Sequence, residues 1–440
     1  MKLQSFLISL ALLIALKSPV LALASSSFDP FFQCLSLHLN DSKLVSRVIH
    51  TQNSSSFSEI LHSSVQNPIF SSPETPKPIS IVTPLEASHV QATIRCARRY
   101  SVHIRTRSGG HDYEGLSYVA PTEFIVIDLA NLRSISIDSH TQTAWVQAGA
   151  TAGELYHEIA KKSKTLAFPA GLFSTVGVGG QFSGGGFGTL LRKYGLAADN
   201  IVDAQVVDSR GRFLDRQGMG EEFFWAIRGG GGSSFGVVLS WKIQLVDVPL
   251  TLTVFNVTTT TEQEAVKIIQ RWQNIADKVT DDLFIRVMLQ KSDKARVRAS
   301  FPGLYLGPVD KLLPIMDKEF PELGLAREDC KEMSWIESVV WFAEYPEGTS
   351  IDVLAKRKRS SKSFKGKSDF VEEPVPEHAI RELWRRLHAP EAEMAKLILT
   401  PFGGKMSQIA ENGGGFGIEE TRDGNDGDEE HEDDSGEGGD

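Results

Sequence analysis

Residues 173–188 read FSTVGVGGQFSGGGFG, and seven glycines crowd between Gly177 and Gly188. Two further stretches share this density: RTRSGGHDYEGLSY at 105–118 and RGGGGSSFG at 228–236. Each is flanked by good strand and helix signals. So many glycines serve close approach of backbone to a ligand, with N–H groups turned toward phosphate oxygens. No Gly-Lys-Ser/Thr follows, which excludes a P-loop. The glycines do not sit between a first strand and its helix with an acidic residue about twenty positions on, which argues against a Rossmann fingerprint. Two separated glycine loops gripping a pyrophosphate-bearing cofactor explain more than flexible loops do.

Around these loops the pattern alternates. ISIV, a helix over about Glu86–Arg99, VHIRTR, FIVIDLANL, a helix over 151–163 and a hairpin at 202–214 follow one another. An α+β domain on mixed sheet follows from this order. From 251 the strands TLTVFNV, DDLFIRVMLQ and ARVRASFPGLYLG alternate with a Thr-capped helix and two others, giving a second α+β domain, an antiparallel sheet backed by helices. The expected organisation is a leader at 1–24, an N-terminal part at 25–75, a cofactor domain at 76–250, a substrate domain at 251–410 and an acidic tail at 411–440.

The leader pairs Lys2 with an apolar run from Phe6 to Leu16 and an A-x-A site at Ala22–Ala24. Lys17 and Pro19 cut the run short of a membrane span, so a signal peptide and export are expected, not stable membrane insertion. In an oxidising compartment Cys34 and Cys96 can pair, leaving Cys330 buried or free. Three cysteines this far apart make no zinc set. Asn53 and Asn256 begin glycosylation sequons. The net charge is −10, but residues 419–440 carry about −11 alone, so the rest is near neutral and shows no nucleic-acid footprint. The basic run AKRKRSSKSFKGKSD at 355–369 reads as a solvated loop or strand edge.

TPLEASHVQATIRCARRYSVHIRTRSGGHDYEGLSY (83–118), AFPAGLFSTVGVGGQFSGGGFGTLLRKYGLAADNIVDAQVVDSRGRFL (167–214) and FFWAIRGGGGSSFGVVLSWKIQL (223–245) together resemble the berberine bridge enzyme-like family of plants. The resemblance implies a two-subdomain PCMH-type FAD-binding domain, formed from segments on both sides of a substrate domain. It implies FAD joined through its 8α methyl to His111. The cofactor-binding candidates are then Arg107, Ser108, Gly109, Gly110, Asp112, Thr175, Val176, Gly177, Gly179, Gly180, Gln181, Gly184, Gly185, Gly186 and Val237. Tyr113 and Tyr194 match tyrosines that line the substrate pocket of relatives.

Departures from the family pattern carry their own expectations. Phe173 stands where many members have a second, cysteine link, so a single attachment and a lower flavin potential are expected. Gln181 replaces a histidine. Val176 resembles the oxygen-reactive type, which favours an oxidase. After TPFGGKMSQI the family's continuing strands and C-terminal segment, with the catalytic base, have no counterpart, so the substrate domain is expected to be C-terminally incomplete. Glu419 and Glu420 are poor replacements. The implied activity is hydride transfer from an alcohol or sugar CH–OH group to flavin N5, with the reduced flavin reoxidised by O2, which is reduced to H2O2. The partners are a small-molecule substrate and oxygen, the chain a monomer, and the location the apoplast or cell wall. The competing reading is an inactive or misfolded remnant of such a flavoprotein.

Overall fold

The computed structural model describes residues 29–292 and 296–409. The leader, the tail with Glu419 and Glu420, and residues 293–295 lie outside them.

Three larger sheets organise the described residues, beside a two-stranded pair of Leu166–Ala167 with Val246–Asp247. The first is four-stranded, in the order Ile49–Thr51, Ser80–Val82, Phe124–Asp128, His103–Arg107. Its inner pairs are parallel and only the first strand runs antiparallel. All five residues of FIVID are buried, as expected of a strand covered on both faces. The helix Ala87–Arg99 covers it, burying Val90, Ile94 and Cys96. Cys96 forms a disulfide with Cys34 of the helix Asp29–Leu39, tying the N-terminal segment to that helix.

The second sheet is antiparallel: Ile135–Asp138, Thr143–Gln147, Gly236–Gln244, Ile201–Asp208, Phe213–Leu214. The last two strands are the hairpin read around Ser209-Arg-Gly. The helix Ala152–Lys162 starts on a capping box in which Thr151 and Glu154 satisfy each other's backbone amides.

The third sheet runs Cys330–Met333, Leu252–Thr259, Val297–Tyr305, Val287–Lys291, Lys396–Leu399, with Leu283–Ile285 also pairing on Val297–Tyr305. One face is backed by the helices Glu262–Ile275, Val309–Glu319 and Glu377–Leu387 through a core including Phe255, Phe301, Trp272, Leu312 and Trp384. At one end the opposite face, through Val254 and Leu304, joins the core of the second sheet. Thr261 does sit at the N-cap of Glu262–Ile275, but its side chain makes no cap bond. Thr259 accepts from the Thr261 amide and donates to Glu264 instead.

The chain returns to the cofactor side earlier than the boundary at 410 implies. Trp335, Val339, Val340 and Leu354 belong to the core of the second sheet, and Trp335 sets its ring edge-on to Tyr156 at 5.3 Å. The basic run is an exposed loop, as read, and it is anchored at a few points. Arg357 grips Glu154 at 2.7 Å and the Gly149 carbonyl at 2.6 Å. Arg359 donates to the His62 carbonyl, and Asn67 to the Phe364 carbonyl. Arginine's fork lets a locally polar segment strap itself across another layer.

Candidate functional site

Two glycine loops meet at one point. The strand His103–Arg107 delivers Ser108, whose hydroxyl donates to the Ala148 carbonyl at 2.5 Å. The second loop runs into the short helix Val178–Ser183 and is pinned to the same region: Val178 and Gly179 donate to Ala150 and Ala148 at 2.9 and 3.1 Å. A Cβ on Gly109 would lie 2.2 Å from the Gly177 nitrogen, and one on Gly177 would lie 2.1 Å from the Ser108 hydroxyl. Gly110 takes φ +70° and leaves no room for a Cβ against Ser64. Only glycine permits this approach.

The contact leaves backbone donors free. Among the described residues, the amides of Gly109, Gly110, His111, Thr175, Gly177 and Gly180 have no protein acceptor. Gly180 has nothing within 4 Å of where a Cβ would stand. Unpaired amides converging from two loops fit an anionic cofactor, since buried N–H groups are otherwise satisfied in folded chains. This array suits the phosphates of FAD.

His111 follows directly. Its Nε2 lies 2.9 Å from the Thr175 hydroxyl, across the junction. Burial, partly opposed by a hydrogen bond to the Thr175 backbone, lowers the imidazole to about 4, so the ring is neutral at physiological pH. The ring thus meets Thr175 twice, at its hydroxyl and at its backbone.

Several other candidates have structural duties. Arg107 is fully buried and wholly committed: it donates to Asp128, and to the Leu61 and Ile60 carbonyls at 2.6 and 2.7 Å. Its side chain is a strut beneath the loop, so the expected cofactor contact is corrected to its backbone at most. Asp112 is exposed and caps the Glu114 and Leu116 amides at 3.0 and 2.8 Å. Val237 is buried in its strand, paired with Val207. Gly185 and Gly186, both at positive φ, offer their carbonyls to Ala198 and Ala197. Gly184 is exposed and closes the helix end by donating to Gly180. The third glycine stretch locks onto the same helix, Gly229 and Gly231 both donating to the Ser183 carbonyl. Val176 accepts from the Ala152 amide. Gln181 presses its amide into the space a Gly171 side chain would need, and its Oε1 is buried without a partner.

Phe173 is 72% exposed. With Leu172 it lines a cavity of about 1270 Å³, bounded by the open face of the third sheet and the segment after Trp335. Neither tyrosine lines it. Tyr113 is exposed and set edge-on to Phe364 at 5.3 Å. The Tyr194 hydroxyl donates to the Asp247 carbonyl. Asn256 does line it, whereas Asn53 is exposed on the other side of the sequence, in the turn after Thr51. Cys330 is half-buried and a free thiol, and burial pushes it up to about 11. Sequence reading passed over Arg286 and Arg298 on the cavity floor, and Arg192, which is buried against four backbone carbonyls. The alternation in LFIRVMLQ could have flagged Arg286.

A mixed-sheet domain whose two glycine loops leave amides unpaired, beside an antiparallel-sheet domain that floors a cavity, fits the class of FAD-binding oxidoreductases. An FAD binding domain family model matches residues 78–216. Berberine bridge enzyme-like 28 of Arabidopsis thaliana is 63% identical over 412 residues, covering 93% of this chain and 77% of that protein. Tetrahydroberberine oxidase of Berberis wilsoniae is 46% identical over 418 residues, covering 93% and 78%. The solved structure of the Arabidopsis protein superposes with a TM-score of 0.83 at 64% identity, covering 87% of this chain and 76% of that one. Phl p 4, a grass pollen allergen with glucose dehydrogenase activity, superposes with 0.81 at 42% identity, covering 87% and 76%. The chain belongs to the berberine bridge enzyme-like family of FAD-linked oxidoreductases. Among the described residues no helix is long and apolar enough to cross a membrane.

Proposed function

We propose that the protein is an exported FAD-linked oxidase carrying one covalent attachment, at His111. The carrying observation is the neutral imidazole held against Thr175 beside the amide cradle. Bound FAD supplies the two-electron chemistry, accepting hydride at N5 from an alcohol or sugar CH–OH and passing the electrons to O2 to give H2O2. The chain's own residues do the rest. Gly109, Gly110, Gly177 and Gly180 admit and orient the phosphates. When Thr175 accepts from Nε2, the lone pair stays on Nδ1, the nitrogen then able to form the bond. Phe173 cannot form a thioether, which supports a single link. Val176 supports oxygen as the acceptor.

The third sheet, with the segment after Trp335, encloses the substrate space, and the leader and Cys34–Cys96 disulfide support export to the apoplast. A glycan on Asn256 would stand in the cavity, so modification is assigned to Asn53 alone. The working unit is a monomer.

The test is acid precipitation of the secreted chain, followed by mass mapping of any flavin-bearing peptide. Flavin on the 108–118 peptide, with peroxide formed from an alcohol or sugar, is the expected result. Flavin released into the supernatant, or found on a peptide lacking His111, overturns the attachment. Retained flavin with no turnover on any such substrate supports the competing reading of an inactive flavoprotein.

A further inference from the structure

The cavity has a polar floor built by strand alternation. Along LFIRVMLQ, Leu283, Ile285, Val287 and Leu289 enter the helix-backed core, so Arg286, Met288 and Gln290 face the other way, onto the cavity. Arg298 lies opposite Gln290 on the neighbouring strand and shares that face. The Arg286 amide donates to the Pro302 carbonyl at 3.0 Å, fixing its place in the sheet.

Four carboxylates line the same space, and each is already engaged. Glu332 accepts from the Val309 amide at 2.9 Å. Glu337 accepts from the Ser334 amide and hydroxyl at 2.8 and 2.6 Å. Glu344 pairs with Lys396 at 3.2 Å, and Glu347 with Lys331 at 2.8 Å. None of the four bonds either arginine. Among the described residues, the side chains of Arg286 and Arg298 donate to no acceptor, and the Nε of each is buried and unsatisfied. Arg286 has only the Phe284 ring beside it, 5.7 Å from the guanidinium carbon. Burial lowers Arg286 to about 10, which leaves it charged at neutral pH.

A guanidinium whose Nε is buried without a partner, while the rest of the group faces a cavity, is under-bonded at a cost. A planar oxyanion answers it with two parallel, charge-assisted hydrogen bonds. We propose that the cavity accepts a substrate carrying an anionic oxygen group, carboxylate or phosphate, and that Arg286 reads that group, with Arg298 the second cation on the same face. This rests on reading the cavity as the substrate space of the oxidoreductase.

The test is calorimetric titration of the full chain, as isolated, with D-glucuronate, D-glucose 6-phosphate and D-glucose at low salt. At least one acid should bind about tenfold or more tighter than glucose, as one charge-assisted contact allows. Which acid does so distinguishes carboxylate from phosphate. Arg286→Gln should bring the preference to within about twofold, and Arg286→Lys should keep part of it. Acids that bind no tighter than glucose, or a preference unchanged in Arg286→Gln, overturn the proposal. Should Arg286→Gln fail to fold, Arg298→Gln takes its place: a weakened preference supports the proposal and an unchanged one overturns it. Flavin absorbance on the same samples keeps the two readings apart. A colourless chain that still prefers acids leaves the anion preference of the cavity standing without the oxidase reading, and a flavin-bearing chain without the preference overturns this proposal and leaves the flavin reading intact.

Discussion

Nε2 of His111 lies 2.9 Å from Oγ1 of Thr175, and this bond joins the two glycine loops at the point where their backbones touch. Thr175→Val removes the hydroxyl that holds Nε2 and leaves only the Thr175 backbone to orient the ring. Flavin attachment should slow, leaving a larger fraction of free flavin after denaturation, while His111→Ala should leave none attached. Flavin partition between acid pellet and supernatant measures both.

The same imidazole sets a pH dependence in the flavin-free chain. Its folded value, about 4, lies below the ordinary 6.5, so between these values the unfolded chain binds the proton and the native chain does not. Stability therefore falls as pH drops from about 6.5 toward 4, by about 3 kcal/mol for this group. Urea midpoints across that window should decline less steeply in His111→Ala than in the parent.

Gly109 and Gly180 should respond differently to alanine. A Cβ at 109 meets the Gly177 backbone at 2.2 Å, whereas Gly180 faces open space. Gly109→Ala should cost about 2 kcal/mol or more and lose flavin together with stability. Gly180→Ala should melt like the parent yet retain less flavin, because its methyl enters the cradle without touching the chain. Thermal melts paired with flavin content separate the two outcomes.

Arg107 and Asp128 are buried together beneath the first loop. Arg107→Ala leaves a buried carboxylate and two carbonyls without their donor, and should cost about 3–5 kcal/mol by denaturant unfolding. Were Arg107 instead a cofactor contact, flavin affinity would fall without this loss of stability.

Arg192 ties the glycine-loop domain to the third sheet's domain. It donates to the carbonyls of Asp277, Val279, Thr280 and Leu283 at 2.6–3.0 Å, just past the C-terminus of Glu262–Ile275, where a cation is favoured. Beside it Lys193 pairs with Asp282. Arg192→Ala should cost about 2–4 kcal/mol through four stranded acceptors. Limited proteolysis should then open residues 277–283 first, while Arg192→Lys recovers part of the protection.

Local pattern carried much of this molecule. The helices at Ala87–Arg99 and Ala152–Lys162 and the hairpin after Ile201 were legible because apolar periodicity and turn residues act over a few positions. The three glycine stretches announced a close backbone approach for the same reason: a missing side chain constrains its own neighbourhood. The histidine in RTRSGGHDYEGLSY could be singled out, but its role came only with family resemblance.

What approaches what was decided in three dimensions. Gly109 needs to be glycine because of Gly177, and Arg107 is a strut because Ile60 and Leu61 present their carbonyls to it. Trp335 and Leu354 return to the core of the second sheet although their sequence neighbours lie in the third sheet's domain. The basic run is strapped down by Glu154 and Gly149. Among the described residues, Arg286 and Arg298 stand unpaired on the cavity floor, while each carboxylate lining it holds a different partner. Residue type and spacing determine which groups can bond. Which of them do is set by desolvation and packing between distant segments, and those are properties of the folded chain alone.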